Sequence, residues 1–297
     1  MEKIYNFRGE NLGSLFENHQ SKDIEKCPVC GSTKFILWAD CNYTKAHKCE
    51  ECKLVFMSPQ LEKEGLNDYY SNYIGKRRIN NLKKMEQRSE QYALDSHVLK
   101  KFVNEGKLLD VGCNGGFFLS ELGEGFERYG TELDPTAVNY ARENYKSFAS
   151  NIEQGTIEDT NFENEYFDVI TMRGVIEHVS DPNESFHHVE RLLKKGGYFF
   201  VCATPNGESY CADLYRENWN LFHPVQHLWH FSPKNLDIMA ARYNLKLIWS
   251  ETQYLGTPYA DPRNDLIKIT EKIKNPTDNQ ISPAFFENMM SLVFKKI

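Results

Sequence analysis

The stretch Lys107-Leu108-Leu109-Asp110-Val111-Gly112-Cys113-Asn114-Gly115-Gly116-Phe117-Phe118-Leu119 constrains this chain most, because a short apolar strand runs straight into a glycine-rich turn and then an apolar helix start. Gly112 and Gly116 let a backbone approach a ligand with no Cβ in the way, and Asn114 is the non-glycine residue that best tolerates a positive φ. The first amides of the following helix have no intrahelical partners and point at whatever the turn holds. This is the arrangement of a nucleotide-cofactor cradle.

Two cofactor classes compete for it. A dinucleotide fingerprint needs G-x-G-x-x-G, whereas the spacing here is Gly112, Gly115, Gly116, with a carboxylate, Asp110, just before the turn. A carboxylate repels a pyrophosphate. S-adenosylmethionine carries a sulfonium, an ammonium and no phosphate, so it accepts an acidic neighbour. Twenty residues beyond Gly112, the segment Arg128-Tyr129-Gly130-Thr131-Glu132-Leu133-Asp134-Pro135 ends a second strand on Glu132, where an acid can accept both ribose hydroxyls.

At these residues the chain resembles the class I S-adenosylmethionine-dependent methyltransferases. The stretches Leu109 to Gly116, Gly130 to Pro135, Phe167 to Pro182 and Leu192 to Pro205 stand in that family's order and spacing, and the resemblance covers residues 85 to 297. It implies an α/β, Rossmann-like sheet of seven strands, mostly parallel with the last antiparallel. It also implies cofactor contacts at Asp110, Gly112, Cys113, Asn114, Gly116, Glu132, Leu133 and Arg173. The family grips adenine in the segment 152 to 159. Relatives commonly carry an aspartate where Thr156 stands, so the expected adenine contacts move to Glu158 for the amine and to the Ile157 amide for the ring nitrogen.

Upstream lie two knuckles, Cys27-Pro28-Val29-Cys30 and Cys49-Glu50-Glu51-Cys52, with eighteen residues between them. That spacing matches a four-cysteine zinc ribbon, in which each tight turn offers two thiolates to one ion. With every position a thiolate the site is closed, so the zinc is expected to be structural rather than catalytic. A module of about thirty residues buries too little to hold itself together, and the metal would supply much of its folding energy. Cys41 and His47 lie between the knuckles without paired spacing. Cys113, Cys202 and Cys211 are scattered, so the eight cysteines are not an oxidised framework.

The expected organisation is an N-terminal arm over 1–26, patterned only at Leu12, Leu15 and Phe16, the zinc ribbon over 27–60, and a linker or substrate cap over 61–84. The methyltransferase domain then runs over 85–297. The linker holds Tyr69, Tyr70 and Tyr73 and a basic patch, Lys76-Arg77-Arg78; in relatives a similar pre-domain covers the substrate pocket. Met85 to Glu105 reads as an amphipathic helix stopped by Gly106, and Tyr166 to Met172 as a buried parallel strand. Asp181-Pro182 opens a helix halted at Lys194-Lys195-Gly196-Gly197, before a fifth strand at Tyr198 to Val201. Leu245 to Trp249 and Met289 to Phe294 read as the sixth and the antiparallel seventh strands. A polar insertion over 256–282, with a helix at Leu266 to Lys274, precedes the last.

With 297 residues, 40% hydrophobic and 26% charged, the chain can bury a large core. Its net charge of −7 argues against a polyanionic partner, so nucleic acid is not expected. The longest apolar run, Tyr198 to Ala203, is far too short to span a bilayer, and a cytoplasmic protein is expected.

Methyl transfer to a hydroxyl needs in-line geometry and a base. The candidates are His178, in Gly174-Val175-Ile176-Glu177-His178, and three histidines that share twelve loop residues, 219–230, with two tryptophans: His223, His227 and His230. Sugar C-methyltransferases with a similar cysteine-rich pre-domain carry a motif whose second half resembles Gln226-His227-Leu228-Trp229-His230-Phe231-Ser232, and their base falls on His227. The glutamate before it is Gln226 here, which removes a carboxylate useful for carbon-acid chemistry. The expected function is methylation of a hydroxyl on a small or sugar-like molecule, with His227 as base and His178 as the second candidate. C-methylation of a keto sugar, RNA methylation and a non-catalytic cofactor-binding scaffold are the alternatives.

Overall fold

The computed structural model describes residues 16–41, 43–71 and 82–297. Leu12, Leu15, Tyr73 and Lys76-Arg77-Arg78 lie outside the described residues, as does the side chain of Tyr70.

The N-terminal part is built from β1 (Ser21–Lys22), β2 (Phe35–Asp40), β3 (Lys45–Cys49), β4 (Val55–Ser58), β5 (Gln60–Leu61) and α1 (Lys63–Ser71). β2, β3 and β4 form an antiparallel meander, and β1 pairs with β5. Each cysteine knuckle closes through a left-handed residue, Gly31 (φ 75) and Lys53 (φ 66), whose turns are tied by Gly31 N to Cys27 O and Lys53 N to Cys49 O.

α2 (Leu82–Leu99) follows, and it ends before the expected Glu105 because Lys101 N and Phe102 N turn back at three-residue spacing onto Val98 O and Leu99 O. The α/β part is β6 (Gly106–Val111), α3 (Phe117–Glu121), β7 (Phe126–Glu132), α4 (Pro135–Asn144), β8 (Ile152–Gln154), β9 (Phe167–Arg173) and α5 (Pro182–Leu192). Then come β10 (Leu193–Pro205), α6 (Tyr210–Tyr215), β11 (Trp229–His230), α7 (Pro233–Ala241), β12 (Leu245–Glu251), α8 (Pro262–Lys274) and β13 (Met289–Lys296). Asp134, Asp181 and Ser232 each accept backbone amides at a helix start with proline at the first position, as the sequence leads one to expect of α5.

Seven strands make one sheet in the order β12-β13-β10-β9-β6-β7-β8. β10, β9, β6, β7 and β8 run parallel, and β13 inserts antiparallel between β10 and β12. β9 is central, and Val169, Ile170, Thr171 and Met172 are all buried, which is what a strand covered on both faces requires. β10 is longer than its sequence pattern implied. Lys194 to Gly197 do not halt a helix but lie inside the strand, where Gly196 (φ 81) absorbs a register shift between Leu193 and Tyr198.

The ribbon sheet is four-stranded, because β11 from the distant histidine loop adds to the edge of β4. Its two faces alternate along β4 with the period of a strand. Phe56 packs with Cys49, Cys52, Leu54 and Trp229 into the core shared with Ile170, Met172 and Leu236. Val55 and Met57 point the other way, joining Trp38 and Ala46 against Cys211, Tyr215, Trp219, Phe222 and Ile269. No helix among the described residues is long and apolar enough to cross a membrane.

Candidate active site

The turn after β6 has the geometry its residues demand. Gly112 sits at φ 68, and a Cβ there would come within 2.7 Å of Val175 Cγ2. Asn114, also left-handed at φ 53, accepts from Gly115 N at 2.7 Å through its side chain and donates its own amide to Glu132 Oε2 at 2.9 Å. The other Glu132 oxygen accepts from Asp134 N at 2.9 Å. The carboxylate at the end of β7 therefore ties the turns after β6 and β7 together. Burial pushes its pKa up, and the two amides oppose the shift. Gly116 stands behind the turn, where a Cβ would meet Tyr145 and Phe148.

Asp110 is buried at the end of β6 and accepts from Thr171 Oγ1 at 2.6 Å; burial pushes its pKa up to about 7. Arg173, at the end of β9, donates Nε to Asp95 Oδ2 at 2.7 Å and lies 4.3 Å from the ring centre of Tyr92. Glu158 accepts from Ser185 Oγ at 2.8 Å on α5, and Ile157 is buried beside it.

One cavity of about 620 Å³ joins these groups, within the range of small-molecule sites. Asp110, Gly112, Cys113, Asn114, Glu132, Leu133, Ile157, Glu158, Arg173, His178 and His227 all line it, whereas Gly116 does not. S-adenosylmethionine fits this donor set: two buried carboxyls flank the Gly112 turn on one cavity, and a cation next to Asp110 would replace solvation that burial has removed.

Histidine geometry defines the opposite wall. His227 is buried, and its Nδ1 lies 2.6 Å from Leu221 O; since a carbonyl only accepts, Nδ1 carries the proton and Nε2 is the basic nitrogen of the neutral ring. His178 meets His227 edge-on with ring centres 4.7 Å apart, and its Nε2 is 3.9 Å from Glu177 Oε1. The Glu177 carboxyl accepts from Thr204 Oγ1 at 3.2 Å, and burial pushes its pKa up to about 8. Glu177, His178 and His227 present one ligand atom each within 4.8 Å of one another, a group able to hold a cation. His230 is a core residue, packed between Trp219 and Phe222 with ring centres 5.8 and 5.3 Å away; burial first, and His227 second, push its pKa down to about 3.

The four knuckle cysteines converge. Sγ of Cys27 is 3.4 Å from that of Cys52, and Sγ of Cys30 is 3.6 Å from that of Cys49. All four lie within 4.8 Å of one another, close to the roughly 3.8 Å edge of a tetrahedron with Zn–S bonds of about 2.3 Å. Zinc fits these ligands. Cys41 and His47 are outside the cluster, His47 being stacked near Phe56.

The methyltransferase domain family matches residues 85–250, more than half of the chain. This chain belongs to that family. Among curated relatives, the methyltransferase is 33% identical over 124 residues to a ubiquinone biosynthesis O-methyltransferase of Vibrio atlanticus, covering 39% of this chain and 52% of the relative. It is 29% identical over 174 residues to the protein of that name from Alkalilimnicola ehrlichii, covering 56% and 68%. The methyltransferase thus spans about half the length of most curated relatives it matches. A chain of the solved complex between the Haloferax volcanii Trm112 methyltransferase activator and a methyltransferase is 16% identical, covers 78% of this chain and 97% of itself, and superposes with a TM-score of 0.55, which supports the fold.

Several cavity residues escaped sequence reasoning. Arg88, Gln91, Tyr92 and Asp95 of α2 stand at helical i, i+3, i+4, i+7 spacing, a signal that a polar stripe faces something, and all but Asp95 line the cavity directly. Tyr254, Tyr259, Phe285 and Asn288 also line it. Nothing in their spacing marks them.

Proposed function

We propose that this methyltransferase moves the methyl group of S-adenosylmethionine to a hydroxyl of a small, sugar-like acceptor. The observation that carries the reading is His227: its proton is committed to Leu221 O, and its ring lines the same cavity as the Gly112 turn. A base whose tautomer is fixed by a backbone carbonyl is oriented before the acceptor arrives. The cofactor supplies an electrophilic methyl on sulfur. Glu132, held by two backbone amides, orients the ribose end. Asp110 offers a buried carboxyl to the cationic end. With the cofactor bound, His227 Nε2 would accept the proton of the hydroxyl that gains the methyl group, as the carbon–sulfur bond breaks and S-adenosylhomocysteine is left, while Trp219, Phe222 and Trp229, all buried, keep water away from the loop that carries it.

The polar and aromatic part of the cavity lining supports an uncharged, hydroxyl-rich acceptor. It presents the amides Asn220, Gln226, Gln253 and Asn288 together with the rings of Tyr254 and Phe285, groups that hydrogen-bond hydroxyls and pack against the carbon faces of a sugar ring. The O-methyltransferase names of the relatives agree with an oxygen acceptor. A screen of small hydroxyl compounds and sugars with isotopically labelled cofactor tests it. A labelled O-methyl group on a sugar or related hydroxyl is the expected product; label appearing only on carbon, or only on RNA, would sink the reading.

A further inference from the structure

We propose that the zinc ribbon is a working part of the acceptor wall: the metal-bound knuckle fixes the position of the histidine loop through strand β4 and through Asn235. The inference rests on His227 belonging to the acceptor site, but it concerns what holds that loop, not what the loop does.

The segment 226–231 lies between the ribbon and the site and is hydrogen-bonded on both sides. Toward the ribbon, Trp229 pairs with Phe56 and His230 with Val55, Met57 N donates to Leu228 O at 2.9 Å, and Gln60 Nε2 reaches the same carbonyl at 3.5 Å. Toward the site, Leu228 N and Trp229 N both donate to Glu177 O, at 2.8 and 3.2 Å. The backbone next to His178 is therefore connected to β4 through a single strand. Space is short around it: a Cβ on Gly207 would lie 2.3 Å from His230 O, so the strand runs flush against the end of β10.

Asn235 closes the circuit. It is fully buried at the start of α7, where its Oδ1 accepts from Ser232 N at 3.1 Å and caps the helix that ends the loop. Its Nδ2 donates at 2.8 Å to the carbonyl of Cys52, a knuckle residue. One buried amide thus links the loop's end to a metal-ligand residue. A ribbon of this size keeps its turns only while the metal holds them. Without zinc, the Cys52 carbonyl and the β4 edge lose their fixed positions, and the segment 225–231 loses one side of its support. The Gly112 turn and Glu132 hold each other through their own hydrogen bonds and do not depend on the ribbon. Asn235 is accordingly a positioning residue, acting through the loop.

The test reads order in the loop by hydrogen exchange, with cofactor affinity as the independent readout. In the full chain carrying Cys49→Ser, exchange of amides in 225–231 is expected to rise about tenfold or more, while S-adenosylhomocysteine binds within about twofold of the parent. The second variant, Asn235→Asp, keeps the capping oxygen and all four cysteines but sets an oxygen against Cys52 O. It is expected to keep its zinc and its affinity for S-adenosylhomocysteine while loosening 225–231. Unchanged protection of 225–231 in either variant overturns the proposal, and so does equal loosening of 107–116. If the exchange result holds while His227→Ala retains full turnover, the coupling stands and the assignment of the base falls.

Discussion

The two walls of the cavity are made in different ways. The wall proposed for the cofactor comes from neighbouring strand ends in the parallel part of the sheet, where nearby residues fix the turns: Gly112 by its positive φ, Asn114 by its side chain, Glu132 by the amides of Asn114 and Asp134. The acceptor wall is assembled from pieces far apart in sequence. Its histidine loop is a strand of the zinc ribbon's sheet, Tyr254, Phe285 and Asn288 come from irregular segments near β13, and Glu177 and His178 follow β9. A locally fixed wall recurs wherever the cofactor is the same. A wall assembled over long range can change its substrate without disturbing the cofactor, because its supports are separate.

The sharpest break of this comparison is at His227. Removing it should lower turnover by about 10² to 10⁴ while leaving cofactor affinity nearly intact, since its contacts belong to the acceptor wall. Steady-state kinetics of His227→Ala at saturating acceptor, beside calorimetry with S-adenosylhomocysteine, separates the two walls. His178→Ala is the internal control. If that variant loses turnover and His227→Ala does not, the base is His178.

Next in size is the reciprocal break at Glu132. Its carboxyl holds Asn114 N and Asp134 N, and it is expected to accept the ribose hydroxyls. Losing one charged hydrogen bond costs roughly 1.5–3 kcal/mol, so Glu132→Ala should weaken S-adenosylhomocysteine binding by at least about 10- to 100-fold. Exchange in 225–231 should be untouched. A variant that binds as tightly as the parent would remove Glu132 from the ribose.

The same contrast explains what could be read from the sequence. Spacing reveals a wall whose parts lie within thirty residues of one another, so the turn at Gly112, the acid at Glu132 and the two cysteine knuckles were all visible, as was the antiparallel last strand. Spacing cannot reveal that Trp229 and His230 would pair with Phe56 and Val55, because the registry is set by burial of Phe56 and Trp229 in one core and Val55 in another. The helix expected to run to Lys194 ends at Leu192 for a related reason. Local propensity there yields to the sheet, which takes Leu193 as the partner of Phe167. Tyr254, Phe285 and Asn288 carried no pattern at all, being single side chains delivered by irregular segments.

The smallest expected effect is on the pH dependence of stability, and it too divides between the walls. Burial raises the pKa of Asp110 to about 7 on the cofactor side and of Glu177 to about 8 on the acceptor side, against about 4 for exposed carboxyls. A carboxyl raised on folding leaves the folded state holding more protons than the unfolded chain, so stability falls as pH rises from the unfolded value through the folded one. His230, pushed down to about 3, has the opposite slope, but that slope ends near its unfolded value of about 6.5. Between pH 6.5 and 8.5, therefore, the two carboxyls dominate among these groups, and the melting temperature of the ligand-free protein should decline by a few degrees. Glu177→Gln cannot ionise and should remove its share of the decline across this window, leaving little slope between pH 7 and 8. S-adenosylmethionine, whose positive charge favours the ionised form of Asp110, should remove the lower part, near pH 7. Differential scanning fluorimetry of parent and variant, with and without cofactor, measures both. If the cofactor flattens the upper part of the curve and leaves the lower part unchanged, its charge faces Glu177 and not Asp110, and the two walls are not electrostatically separate.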